Sequence, residues 1–215
     1  FSNSRDSSVV TVYNARVDFQ SQLDRINQVK VGLEFNYTDN RVNYASVDKF
    51  LPSGRSRSVW SNFPIRAAIY AQDKLEFEGM VANVGVRLDY SDPQGDWYEY
   101  DAYTSAFASE NSLGLDTLLK KVSVEKQLDI SPRVGISFPI SINSKLYFNY
   151  GHFRQMPTPE NLFLLRRYSD NNQVVRLADP NLPLPKTVAY ELGYEQNLFD
   201  EFLVRVAGYY KDVSL

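Results

Sequence analysis

The sequence of 215 residues contains no cysteine, which excludes disulfides, thiolate chemistry and cysteine metal sites together. It contains one histidine, too few for a histidine cluster around a metal. No Ser-His-Asp order and no glycine-rich phosphate loop can be read from it. No stretch of about 18 uninterrupted apolar residues occurs, so no transmembrane helix is written here. The opening FSNSRDSSVV lacks the basic segment and apolar core of a signal peptide. An excess of one charge is missing too. Lys+Arg 23 against Asp+Glu 26 leaves -3, with no basic block to suggest nucleic acid. The mean hydropathy of -0.38 is that of many soluble chains. It does not exclude membrane strands, because only every second residue of such a strand faces lipid.

Aromatic residues are plentiful, with Tyr 15 and Phe 13. Both favour strands, and tyrosine suits a membrane–water interface, where its ring is apolar and its tip polar. Their placement follows a period of two. Tyr13, Ala15, Val17 and Phe19 alternate with Asn14, Arg16, Asp18 and Gln20. After a polar break, Val29, Val31, Leu33, Phe35 and Tyr37 alternate with Lys30, Gly32, Glu34, Asn36 and Thr38. Helical spacing is absent from both segments. The same design recurs in Ile65–Gln72 with Met80–Tyr90, in Ile130–Phe138 with Leu146–Gly151, and in Val188–Glu195 with Phe202–Tyr210. The pattern predicts about eight strands in four hairpins, roughly residues 9–38, 65–90, 129–152 and 187–212.

The connections alternate as well. Turns at 23–27, 77–80, 139–144 and 197–201 are short, whereas 39–64, 91–128 and 152–186 are long and rich in charge, Asn, Pro and Ser. Strand alternation alone fits a soluble antiparallel sheet as well as a membrane barrel. The loop asymmetry, and tyrosines 37, 90 and 210 closing their apolar rows, favour an antiparallel transmembrane barrel with short periplasmic turns and long extracellular loops.

Several segments add a resemblance. Tyr70-Ala71-Gln72-Asp73-Lys74-Leu75 followed by Gly85-Val86-Arg87-Leu88-Asp89-Tyr90 resembles the paired-strand signature of TonB-dependent receptor barrels. Ser131-Pro132-Arg133-Val134-Gly135 is similar to a strand start of that family, and Tyr150-Gly151-His152-Phe153 to Met156-Pro157 to a strand exit. Asn181-Leu182, Pro185-Lys186-Thr187, Glu191 to Glu195 and Tyr209-Tyr210-Lys211-Asp212 resemble its later segments in order. The likeness covers roughly 65–215, with the first hairpin agreeing in style, and leans toward the subgroup with an N-terminal carboxypeptidase-regulatory-like domain.

The resemblance implies a bacterial outer-membrane location and a complete barrel of about 22 strands. It also implies a plug domain and a TonB box, neither of which is recognisable in this sequence. An internal segment of a longer protein is therefore expected, because eight strands alone leave two unpaired edges. Partners implied by the family are outer-membrane lipid and lipopolysaccharide, the receptor's own plug and TonB. A scarce nutrient (siderophore, cobalamin, glycan or peptide) and a surface lipoprotein complete the set. No enzyme activity, cofactor or metal is expected.

The polar strand positions Arg16, Asp18, Glu34, Arg87, Asp89, Arg133, Glu191 and Arg205 are candidates to face the lumen and contact a plug. Solvation of a water-filled interior accounts for them equally well. Trp97, Tyr98 and Tyr100 combine aromatic faces with neighbouring carboxylates, and Arg154, Arg166 and Arg167 offer cations. These are the candidate ligand-contacting loop residues. Residues 161–167 are expected to form a short helix. His152 stands alone and reads as a loop-edge residue. Three functions remain open at this point: a TonB-dependent importer, a complete small barrel with a structural or adhesive role, and a soluble β-sandwich binding module.

Overall fold

The computed structural model describes residues 2–48, 56–101, 114–155, 162–168 and 174–214. Eight long or medium strands form a wall: β2 (Val9–Gln22), β3 (Asn27–Asp48), β5 (Ile65–Phe77), β6 (Met80–Asp92), β9 (Gln127–Ser141), β10 (Ser144–Arg154), β13 (Lys186–Leu198) and β14 (Phe202–Ser214). Six short ones lie in the connections: β1 (Ser2–Asp6), β4 (Ser56–Asn62), β7 (Asp96–Tyr98), β8 (Lys121–Ser123), β11 (Leu165–Tyr168) and β12 (Val174–Leu177). A single turn of helix, α1 (Leu115–Leu118), completes the described elements. Fourteen strands thus replace the expected eight. Of the short helix expected over 161–167, residue 161 lies outside the described residues, Leu162 is helical and residues 165–168 are strand.

All wall neighbours pair antiparallel, in the order β2-β3-β5-β6-β9-β10-β13-β14. The register keeps apolar residues in continuous cross-strand rows. Val17 lies opposite Leu33, Leu33 opposite Ile69, Ile69 opposite Leu88, and Leu88 opposite Ile130. Farther round, Ile136, Phe148 and Leu192 continue another such row. A slip of one residue anywhere would put charges among the apolar side chains.

The apolar face is bare. Phe19 is 63% exposed, Ile130 63% and Leu192 54%. Among the described residues, the only buried hydrophobic side chains on the wall strands are those of Ala68 and Ala82. A soluble sandwich would pack a second sheet on this face, as its apolar side chains demand burial. The opposite face is polar and concave. This inversion is that of a membrane barrel wall, whose apolar band meets lipid. The sheet does not close: β2 and β14 pair on one side only.

β3 outruns the wall. Its 22 residues span about 75 Å at ~3.4 Å per residue, far more than the 9–11 or so that cross a bilayer. Its inner part pairs with β5, and its outer part with β4 on one side and β1 on the other. The segment expected as loop 39–64 is therefore largely a β-ribbon standing above the wall. Phe63-Pro64 breaks the line between β4 and β5, and the Pro64 carbonyl accepts from the Thr38 N–H at 3.1 Å. Proline has no N–H to offer the ladder, which suits it to this break.

Inner turns are short and self-sufficient. Gly79, at φ +82°, closes the two-residue turn between β5 and β6. Between β2 and β3, one Asp24 oxygen accepts the N–H groups of Ile26 and Asn27 at 2.7 Å each, and the other accepts the Asn27 side-chain amide at 2.8 Å. These bonds, the Asn27 side chain's first, hold the Asp24 carboxyl below its ordinary pKa. A lowered folded-state pKa means that the turn's stabilisation is complete above the ordinary aspartate range. It is lost as pH falls through the lower folded value. The Ile26 and Asn27 amide resonances of the refolded receptor should therefore hold steady to below the ordinary range, then shift. Asp24→Asn should abolish that titration. A midpoint at or above the ordinary range would contradict the assignment.

Candidate functional site in the barrel lumen and rim

The concave face carries two ion-pair networks. In the first, Glu34 on β3 accepts Arg16 from β2 at 3.0 Å and Arg87 from β6 at 2.6 Å. Each arginine also holds an aspartate two residues along its own strand, Arg16 to Asp18 and Arg87 to Asp89, both at 2.8 Å. Arg87, itself opposite Tyr70, reaches diagonally across β5 to Glu34, where the residue opposite Glu34 is the small Ala68. Tyr70 lies at the centre. It stands opposite Gly32, and a Cβ added to Gly32 would run into its ring. The Arg16 guanidinium donates to the Tyr70 hydroxyl at 2.9 Å, and that hydroxyl donates to Asp18. Both guanidinium carbons sit under 6 Å from the ring centroid, at 5.7 and 5.9 Å, within cation–π range.

The second network repeats the tyrosine-over-glycine device. Tyr147 on β10 covers Gly193 on β13 and donates to Glu191 at 3.3 Å, while the Asn149 amide donates to the same carboxylate at 3.1 Å. Glu195 takes Lys145 at 2.8 Å and Arg205 at 2.7 Å. Between the networks, Arg133 lies over the Phe153 ring at 4.9 Å. Arg154 pairs with Asp129 at 3.1 Å and donates to the Leu184 carbonyl at 2.8 Å.

The lumen candidates thus fall into three places. Arg16, Asp18, Glu34, Arg87 and Asp89 converge; Glu191 and Arg205 belong to the second network without touching each other; Arg133 stands apart. Sequence reasoning missed Tyr70, Tyr147, Lys145, Asp129 and Glu195 as network members. The available signal was that Tyr70 and Tyr147 occupy polar-face positions opposite glycines. Two recesses open on this face. One of about 770 Å³ is bordered by Lys30, Gln72, Asn149 and Glu191, and an outer one of about 360 Å³ by Arg66, Asp129, Arg133 and Arg154.

Above the wall, three connections share one hydrophobic core. Trp97, Tyr98, Val124, Leu162 and Phe163 are buried together, with Trp60, Tyr100, Leu119, Leu165 and Leu177 against them. Trp97 meets Phe163 edge-on, centroids 5.4 Å apart, and its indole N–H donates to the Ala178 carbonyl at 2.6 Å. β11 pairs with β4, joining the connections 39–64 and 152–186. Arg166 donates to Ser56 at 2.9 Å across the same junction. Trp97 and Tyr98, chosen from the sequence as ligand-contacting residues, are 8% and 7% exposed, and their rings are packed inside the rim. Tyr100 donates to the Leu177 carbonyl at 3.4 Å. Burial, aided by the Asp179 carboxylate, raises the pKa of its phenol. Among the described residues, no three His, Cys, Asp or Glu side chains converge as a metal site.

Residues 1–214 match the family described as TonB dependent receptor-like, beta-barrel. This chain belongs to the TonB-dependent receptor family. Solved structures agree in fold. The ferric-catecholate import receptor Fiu from K12 E. coli shares 17% identity at a TM-score of 0.61, covering 97% of this chain and 32% of the receptor. The Serratia marcescens hemophore receptor HasR, solved with its hemophore and heme, shares 14% at 0.61, covering 98% and 34%. The copper transporter OprC shares 16% at 0.61, covering 95% and 30%. This TonB-dependent receptor chain therefore spans about a third of the length of the solved receptors it resembles. A search of curated protein sequences gave no match.

Two variants of this TonB-dependent receptor follow from the geometry. Gly32→Val should displace the Tyr70 ring and lower stability, and the same change should cost less in a Tyr70→Ala background. Urea unfolding of the four variants of that cycle should show a coupling of about 1 kcal/mol; strict additivity would disprove the contact. Trp97→Ala should remove the centre of the rim core, at about 3–5 kcal/mol locally. Limited proteolysis should then cut the 91–128 and 152–186 connections together while the wall strands stay protected. Cutting of the first connection alone would show that the rim is not one unit.

Proposed function

We propose that this chain is wall and rim of a TonB-dependent transporter in the bacterial outer membrane, importing a scarce nutrient. The observation that carries the reading is the two-faced register: eight strands whose apolar rows are bare on the convex side and whose ionic networks line the concave side. Short turns face the periplasm and the rim faces outward. The remainder of the receptor supplies the strands that cap β2 and β14, the plug and the TonB contact.

In this reading the Arg16–Glu34–Arg87 network seats the plug, and Asp18, Asp89, Glu191 and Arg205 extend that seat. Cargo meets the rim first, where β11 carries Arg166 and Arg167. Family membership supports transport, and the similar structures include an import receptor, a hemophore receptor and a copper transporter. Their cargoes differ, so fold alone does not fix the ligand here.

The test is uptake. Cells lacking the full receptor gene, and separately cells lacking tonB, are grown on limiting iron chelates, cobalamin, glycans or peptides as sole source. The expected result is the same nutrient lost in both strains and restored by the receptor only when TonB is present. Retained receptor-dependent uptake without TonB, or recovery of the full-length protein in the soluble fraction, would refute the reading.

A further inference from the structure

We propose that the outer recess of the lumen face is a binding site for a small oxyanion, with Arg66 and Arg133 as its contacting groups. The inference rests on the transport reading above and deepens it by assigning the cargo an anionic oxygen group, a carboxylate or a phosphate.

Four arginines border the recess. Two are already answered. Arg87 is held by Glu34 and Asp89, and Arg154 by Asp129 and the Leu184 carbonyl. The three carboxylates that border it are those same partners, so none is left over. Arg66 and Arg133 are the remainder. Arg133 is exposed, and among the described residues it has the Phe153 ring beneath it and neither ion pair nor hydrogen bond. Arg66, second residue of β5, is half-buried between Asn36 and Ser91 in the register, and among the described residues it makes neither ion pair nor hydrogen bond.

A half-buried guanidinium has lost part of its hydration without gaining a counter-charge, an arrangement that an anion relieves. Guanidinium presents paired donors that match the two oxygens of a carboxylate or phosphate. The space, about 360 Å³, is at the lower end of ordinary small-ligand sites. Its location also favours a solute arriving from outside. Arg66 is the second residue of β5 and Arg154 ends β10, both at the rim side of the wall. The Leu184 carbonyl that fixes Arg154 belongs to the rim connection. A solute passing the rim meets this recess at the outer edge of the first ion-pair network, whose Glu34, Arg87 and Asp89 border it.

The test is isothermal titration calorimetry of the full-length receptor in detergent at low salt, using citrate and inorganic phosphate as probes and sucrose as the neutral control. Wild type should bind at least one anion saturably and not bind sucrose. Arg66→Gln and Arg133→Gln should each weaken it by about tenfold or more, and Arg66→Lys should fall between. Lys74→Gln, at the inner end of the same face, should leave affinity unchanged. Ligand-free Arg66→Gln and Arg133→Gln should melt like wild type and keep the heat-modifiable gel mobility of a folded barrel.

Absence of binding by either anion, or equal affinity in the arginine variants, overturns the proposal. So does a lowered melting point of the ligand-free variants without anion binding, since a carboxylate of the receptor itself would then fill the recess. Uptake that stays TonB-dependent while anion binding fails removes this inference alone; TonB-independent uptake removes the transport reading alone.

Discussion

Everything in this chain depends on the backbone ladder of a two-faced sheet held in one register. In hydrocarbon, an unpaired N–H or C=O has no water to turn to, so each strand must find both neighbours and hold them. From β3 to β13 that requirement is met on both sides along the wall. The register then does a second thing. Because side chains alternate, one choice of pairing sends the apolar rows outward and the ionic networks inward. Lipid exposure and a charged lumen are two results of a single alignment.

The lumen shows how a sheet can carry many charges without losing that alignment. Glu34 serves two arginines, and each arginine also takes an aspartate from its own strand, so charges are answered within a few neighbouring strands. Tyrosine rings over Gly32 and Gly193 fill the gaps that glycine leaves on the polar face. Glycine gives the ring room to lie along the sheet; the ring restores the packing and screens the strand there. Arg66 and Arg133 fall outside this accounting, which is why the outer recess differs from the rest of the face.

The hydrophobic core of the molecule sits in the rim, above the wall. Lipid takes the place of a core for the wall strands, so large buried side chains collect where three connections meet water. Trp97 and Phe163 come from different connections and touch edge-on. That contact, with β11 paired to β4, makes the connections structurally dependent on one another. Aromatic residues that looked from the sequence like a ligand surface, Trp97 and Tyr98, are spent in holding this platform together. Beside it, Arg166 and Arg154 are half-buried and already bonded, to Ser56 and to Asp129.

By itself the sequence determined the wall. Alternation at Val29–Tyr37, Ile65–Gln72 and Met80–Tyr90 is legible because the two faces meet different solvents, and that contrast is what a period of two records. It also put Arg16, Glu34 and Arg87 on one face, since parity alone places them on one side. Only the tertiary structure decided the rest. β4 buries Ser56, Ser58 and Asn62 and exposes Arg57, Val59 and Ser61, so its buried face is polar and no apolar period of two marks it. Residues 165–168 of the segment expected as a short helix are strand, Arg167 and Tyr168 pairing with β4. Nor does parity say which charges meet. Glu34 reaches Arg87 across β5, where the residue opposite Glu34 is the small Ala68, and Arg66, beside Asn36 and Ser91, makes neither ion pair nor hydrogen bond among the described residues. Those outcomes are set by residues far apart in the chain and brought together only by the register.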